Sequence, residues 1–129
     1  MNANGEYPKY SFGDDVRKLN SHDWKWLNSK YRTHAVATKK PNGYGLYDVH
    51  GNVEQWVQDA YGNQYGLTDK QLQGVTRDPH GAQSGKRRVT RGGAWNLMDP
   101  RHFRSAYRHG DFSDGRSSWL GFRLVRIAR

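Results

Sequence analysis

An α+β, loop-rich fold with a small antiparallel sheet is the class this 129-residue sequence predicts, and two observations carry the expectation. Hydrophobic residues make up only 34% of the chain while Trp, Tyr and Phe supply 13%, so the core must rest on large amphipathic rings rather than aliphatic layers. Fifteen glycines point to many loops. The second observation is strand-like alternation of apolar and polar side chains at residues 88–91 and 122–126, which would pair as core β elements around the intervening loop. A chain of this length buries roughly two thirds of its unfolded surface around one core, so residues 1–129 are expected to form a single domain.

Residues 1–15 mix Gly, Asn, Pro and aromatics without a period. From Val16 onward, Leu19, Trp24, Trp26 and Leu27 fit neither a helical nor a strand repeat, which predicts a loop with a short helical turn over residues 21–27. Pro41, Asn42 and Gly43 signal a turn, and Gly51 with Asn52 signals a second, opening a short aromatic strand over residues 53–58. Residues 61–86 are polar and rich in Gly, Gln and Asp, as a long surface loop would be, with one helical turn at residues 69–73. The sheet is therefore expected from strands near Val53, Val89 and Leu124, with Trp56, Trp95 and Phe122 mostly buried. Trp95 should lean on the Gly92 and Gly93 pair, since glycines let backbone and ring approach closely.

The formal charge of +9 would attract phosphate, sulfated glycan, lipopolysaccharide or nucleic acid. The expected electrostatic surface is Lys86, Arg87 and Arg88, where a polyanion contact is placed, together with Arg126 and Arg129. With no cysteine, disulfides are excluded as staples. There is no apolar signal-peptide core and no 18-residue apolar run, so neither a signal peptide nor a membrane span is expected in this chain.

The blocks RVTRGGAW at 88–95, RSAYR at 104–108 and GFRL at 121–124 are joined upstream by PNGYGLYD at 41–48 and GNVEQW at 51–56. In order and spacing this set resembles the formylglycine-generating-enzyme domain family, also called sulfatase-modifying-factor domains, whose fold is a C-type-lectin-like variant. The stretch YPKYSFGDD at 7–15 is similar to a loop these domains carry midway. The resemblance thus implies a domain lacking the family's usual N-terminal part, and a partner chain supplying those elements is one expectation. Arg91, Arg104, Arg108 and Arg123 lie within the matched blocks, where a guanidinium can tie loop carbonyls and carboxylates together.

The family's copper enzymes use a cysteine pair in the stretch after the Arg-Gly-Gly block. Here that stretch, residues 96–103, holds neither a cysteine nor any other anionic sulfur to select Cu(I). The iron-dependent sulfoxide synthases of the family draw three histidines from a separate helical domain, and none of the six histidines here has H-x-x-x-H or H-x-E spacing. No Gly-x-Ser-x-Gly elbow accompanies the serines, so no hydrolase is expected either. A non-catalytic domain is therefore expected, and the alternative is a formylglycine-generating or iron-dependent oxidoreductase-type domain, degenerate or completed by a partner.

Between the framework positions of residues 96–119 lie His102, Phe103, Tyr107, His109, Asp111, Phe112, Ser113, Ser117 and Trp119. Tyr, Trp and Phe give contact area at low entropy cost, and Ser, Asp and His give adaptable hydrogen bonds, which suits a binding surface for a protein or glycan ligand. The pattern is similar to the variable proteins of diversity-generating retroelements. In the resembled family the GNVEQW-type block lies near a structural calcium. That makes Asn52 and Gln55 the calcium candidates, although Gln55 stands where the family has a glutamate, and a turn organised by Asn52 with Trp56 in the core is favoured. The acidic run Asp111 to Gly115 lacks the distal glutamate of an EF-hand and is expected to be a solvated turn.

Overall fold

The computed structural model describes residues 7–62, 81–82 and 84–126. The expected turn at residues 69–73 and the cation Arg129 lie outside them. Near the N-terminus the Asp15 side chain accepts from the Arg17 amide and starts a 3-10 helix η1, Val16–Lys18, that runs into a four-residue helix α1, Leu19–His22. Helix therefore begins earlier than the sequence suggested. The cap sets its start, and Asp23, extended at φ −142 and ψ 154, ends it before the tryptophans.

Among the described residues, four strands form one sheet: β1, Glu54–Ala60; β2, Arg87–Arg91; β3, His109–Phe112; and β4, Leu120–Gly121. Their order is β3-β2-β1-β4. The antiparallel pairs β1·β2 and β2·β3 are joined by a parallel contact between β4 and the start of β1, so the sheet is mixed rather than purely antiparallel. An irregularity between Trp56 and Ala60 shifts the β1·β2 register.

Two corrections concern the C-terminal half. The expected strand over residues 122–126 is replaced by the two-residue β4 just before it, and Phe122, Leu124 and Val125 are 72%, 86% and 84% exposed. Alternation alone does not make a strand where, among the described residues, no neighbouring strand offers a ladder. Strand β3 was missed for the opposite reason. His109, Gly110 and Asp111 have poor intrinsic strand preference, but Gly110 sits against the Tyr61 ring, where an added Cβ would lie 2.3 Å from Cγ.

The aromatic core is small and sits outside the sheet. Tyr10, Leu19 and Phe103 are buried together, with Phe12 and Leu97 packed against them. The glycine pair does bring a ring close, but it is Phe103 rather than Trp95: Gly93 has φ +66, and a Cβ there would stand 2.8 Å from the Phe103 ring. Trp56 and Trp95 are only half-buried. Among the described residues no helix is long and apolar enough to cross a membrane.

Candidate ligand-binding surface

The backbone of residues 96–119 is pinned at many points. Trp95 donates from its amide to the Asn52 carbonyl at 2.9 Å and from Nε1 to the Ser118 carbonyl at 3.2 Å, bracing the two ends of the interval. Asp99 caps a second 3-10 helix, η2, Pro100–Phe103, with proline in its first turn. Ser105 donates to the Lys9 carbonyl at 2.7 Å, and Arg91 Nη1 donates to the Tyr107 carbonyl at 2.8 Å. Strand β3 is then held along β2, and the Glu54 amide donates to the Trp119 carbonyl at 2.8 Å.

On this frame the predicted residues separate. His109, Phe112, Ser113 and Trp119 are exposed, while His102, Tyr107, Asp111 and Ser117 are partly exposed. Phe103 is a correction: at 0% exposure it plugs the core beneath Gly93 and cannot touch a partner. Strand alternation divides the remainder. His109 and Asp111 share the side of Thr90 and Arg88, their register partners, whereas Phe112 turns to the other side, with the Arg87 guanidinium 5.5 Å from its ring centre. The acidic run begins in strand β3, and only its second half is a turn, closed by the Gly115 amide donating to the Phe112 carbonyl at 2.8 Å.

Sequence reasoning passed over Glu54. It is 7% exposed at the middle of the sheet, accepting from Thr90 Oγ1 at 2.7 Å, with His109 Nδ1 at 3.4 Å from the same oxygen. Tyr107 and His102 meet edge-on nearby at 4.8 Å. Burial, then the Glu54 carboxylate, raises the Tyr107 phenol above its usual range. The signal that could have found Glu54 was its period-two relation to Trp56 on a strand otherwise short of acids.

Three of the four block arginines do tie loops. Besides Arg91, Arg108 Nη1 reaches the Gly62 carbonyl at 3.3 Å, and Arg123 bonds Gln55 Oε1 at 2.8 Å and the Tyr47 carbonyl at 2.7 Å. Arg104 is exposed. These contacts bear on the calcium candidates. Asn52 Oδ1 accepts the His34 amide while its Nδ2 donates to the His34 carbonyl, and a guanidinium already sits on the Gln55 oxygen, so the two amides fit a loop clasp rather than a divalent cation. Among the described residues no group of three His, Cys, Asp or Glu side chains is placed to hold a metal. A thiolate copper site does not fit this chain, which has no cysteine.

Below the surface lies a buried polar layer. Asp23 Oδ1 accepts the His50 amide at 2.8 Å, and His50 Nε2 takes the Ser11 amide at 2.9 Å and faces Ser11 Oγ at 2.8 Å. Gly51 is wedged against this layer, since a Cβ there would be 2.6 Å from the Trp24 carbonyl oxygen. Burial pushes the Asp23 carboxyl up to about 7 and the His50 imidazole down to about 4.

Among the described residues, a small mixed sheet carrying pinned loops, with a single short α-helix, defines a C-type-lectin-like domain of formylglycine-generating-enzyme type, and comparison with known proteins agrees. The sequence profile of the sulfatase-modifying factor enzyme 1-like domain matches residues 3–128, and the chain belongs to that family. It is 32% identical over 92% of its length to serine/threonine-protein kinase pkn1 of Chlamydia pneumoniae, covering 18% of that protein. It is 37% identical over 74% of its length to the formylglycine-generating enzyme of Streptomyces coelicolor, covering 30% of it. Among solved structures, variable protein 1 of Treponema denticola superposes with a TM-score of 0.76 at 34% identity, over 92% of this chain and 40% of that one. PvdO from Pseudomonas aeruginosa superposes with a TM-score of 0.64 at 28% identity, over 80% and 38%. The chain thus spans less than a third of the length of these two curated relatives.

Proposed function

We propose that the chain is a non-catalytic ligand-binding module of the variable-protein kind, which binds a protein or glycan through the surface formed by residues 96–119. One observation carries this reading. The backbone of the interval is fixed by bonds from anchors in other parts of the chain, while His109, Ser113 and Trp119 stand exposed on it. That is the arrangement in which side chains change without loss of fold. Similarity to the Treponema denticola variable protein over nearly the whole chain supports it. A second reading, an oxidoreductase-type sulfatase-modifying domain completed by a partner, is favoured by the identity to formylglycine-generating enzymes, but the chain brings no cysteine to that chemistry.

An alanine scan tests the binding reading once a partner is in hand. Truncating His102, Tyr107, His109, Asp111 or Trp119 should weaken binding, with the aromatic members costing about 2 kcal/mol or more where they are hot spots. Phe103 is left out because its loss would act through the core. If substitutions at Lys86, Arg87, Arg88 and Arg126 alone abolish binding, and the loss is strongly salt-dependent, the partner is held by charge and the assignment to residues 96–119 is wrong.

A further inference from the structure

The side of β3 that carries Phe112, turned away from His109 and Asp111, holds a second surface. Arg87 on β2 lies across from Phe112, and its guanidinium stands 5.5 Å from the Phe112 ring centre and 5.8 Å from that of Tyr61. Arg108 covers the same Tyr61 ring at 5.5 Å, and Lys86 is anchored beside Arg87 by the Ser113 amide on its carbonyl. Arg88, next in sequence, faces the other way, donating to the Gln58 carbonyl at 3.0 Å. The basic triplet of the sequence is therefore split: Arg87 stands on the Phe112 side of β2 and Arg88 on the other, with Lys86 exposed just before the strand. Lys86 and Arg87 are both exposed, and among the described residues neither pairs with a carboxylate.

From this placement we infer that Lys86 and the ring-held Arg87 form a binding site for the sulfate groups of an acidic polysaccharide. A guanidinium within cation–π distance of two rings loses less further freedom on binding and keeps its N–H edge for a tetrahedral oxyanion. Phe112, 55% exposed, is a single open ring, where a single-stranded nucleic acid site stacks successive bases on several. Tyr61 lies on Gly110 and beside two guanidinium groups, so it gives no open platform for bases to stack on, as a single-stranded nucleic acid site needs. What a ligand meets is a pair of cations and a fan of N–H donors, which suits sulfated sugar better than DNA.

The test uses the full chain, a sulfated heparin oligosaccharide, its desulfated counterpart, and an oligothymidylate of similar charge. The sulfated sugar should bind and the desulfated one should not, with oligothymidylate at least several-fold weaker. Lys86→Ala with Arg87→Ala should lower affinity about tenfold and flatten the salt dependence, whereas Lys18→Ala with Arg32→Ala, which removes the same charge from exposed positions elsewhere, should have little effect. Tyr61→Leu keeps every charge yet should also weaken binding, because it frees the guanidinium. Equal losses from the two double variants, or oligothymidylate binding as tightly as the sulfated sugar, would overturn the site in favour of non-specific attraction to the net charge.

Discussion

Phe103→Ala should be the most damaging single substitution in this chain, lowering unfolding free energy by roughly 3 to 5 kcal/mol. The ring is 0% exposed and forms, with Tyr10 and Leu19, the only cluster of buried hydrophobic residues among the described ones. Few other apolar side chains stand behind it. Gly93 at φ +66 is held against the same ring and cannot advance to fill the void, so the cavity should persist rather than collapse. Trp95→Ala, at a half-buried position, should cost clearly less even though its side chain is larger. Urea denaturation of both variants gives the comparison. If Phe103→Ala proves milder than Trp95→Ala, the core has been misplaced.

A second large effect is expected in the pH dependence of stability, where Asp23 and His50 oppose each other. Asp23 is an acid whose folded pKa is raised to about 7 by burial, so between about pH 4 and 7 the unfolded state is ionised while the native state keeps its proton. Its contribution is therefore greatest below pH 4 and is lost as the pH rises to 7. His50 is a base whose folded pKa is lowered to about 4, so below 6.5 the unfolded state takes up a proton that the native state refuses, and stability is lost as the pH falls. In the shared window, from about 4 to 6.5, the two slopes cancel to first order. Asp23→Asn keeps an acceptor for the His50 amide but removes one slope. The variant should then lose up to about 1.4 kcal/mol per pH unit on acidification below 6.5, where the unsubstituted chain changes little. Parallel stability curves for the two proteins would show that Asp23 is ionised in the native state.

Much of the architecture was legible because it rests on residues with one physical use. Gly51 and Gly93 stand where any Cβ would strike backbone or ring, and Arg91, Arg108 and Arg123 reach carbonyls that bring distant loops together. What escaped the sequence depends on contacts between distant segments. Strand β3 exists because β2 and Tyr61 impose it on His109, Gly110 and Asp111, and the parallel pairing of β4 with Glu54 and Gln55 leaves no local trace. Phe103 and Phe112 are the same residue type nine positions apart. Only the closeness of Gly93 tells the plug from the exposed ring. Glu54 was hidden by its neighbour Gln55, which occupies the position the family resemblance brought forward.

Simultaneous randomisation of His102, Tyr107, His109, Asp111, Ser117 and Trp119 in a displayed library tests the central claim most directly. These side chains are carried by a backbone that other residues hold, so most members should resist protease as the parent does, and selection on unrelated proteins should yield binders that lose activity when these six positions revert. If most members unfold, or if selected binders owe their affinity to changes elsewhere in the chain, residues 96–119 are part of the scaffold and do not form a binding surface.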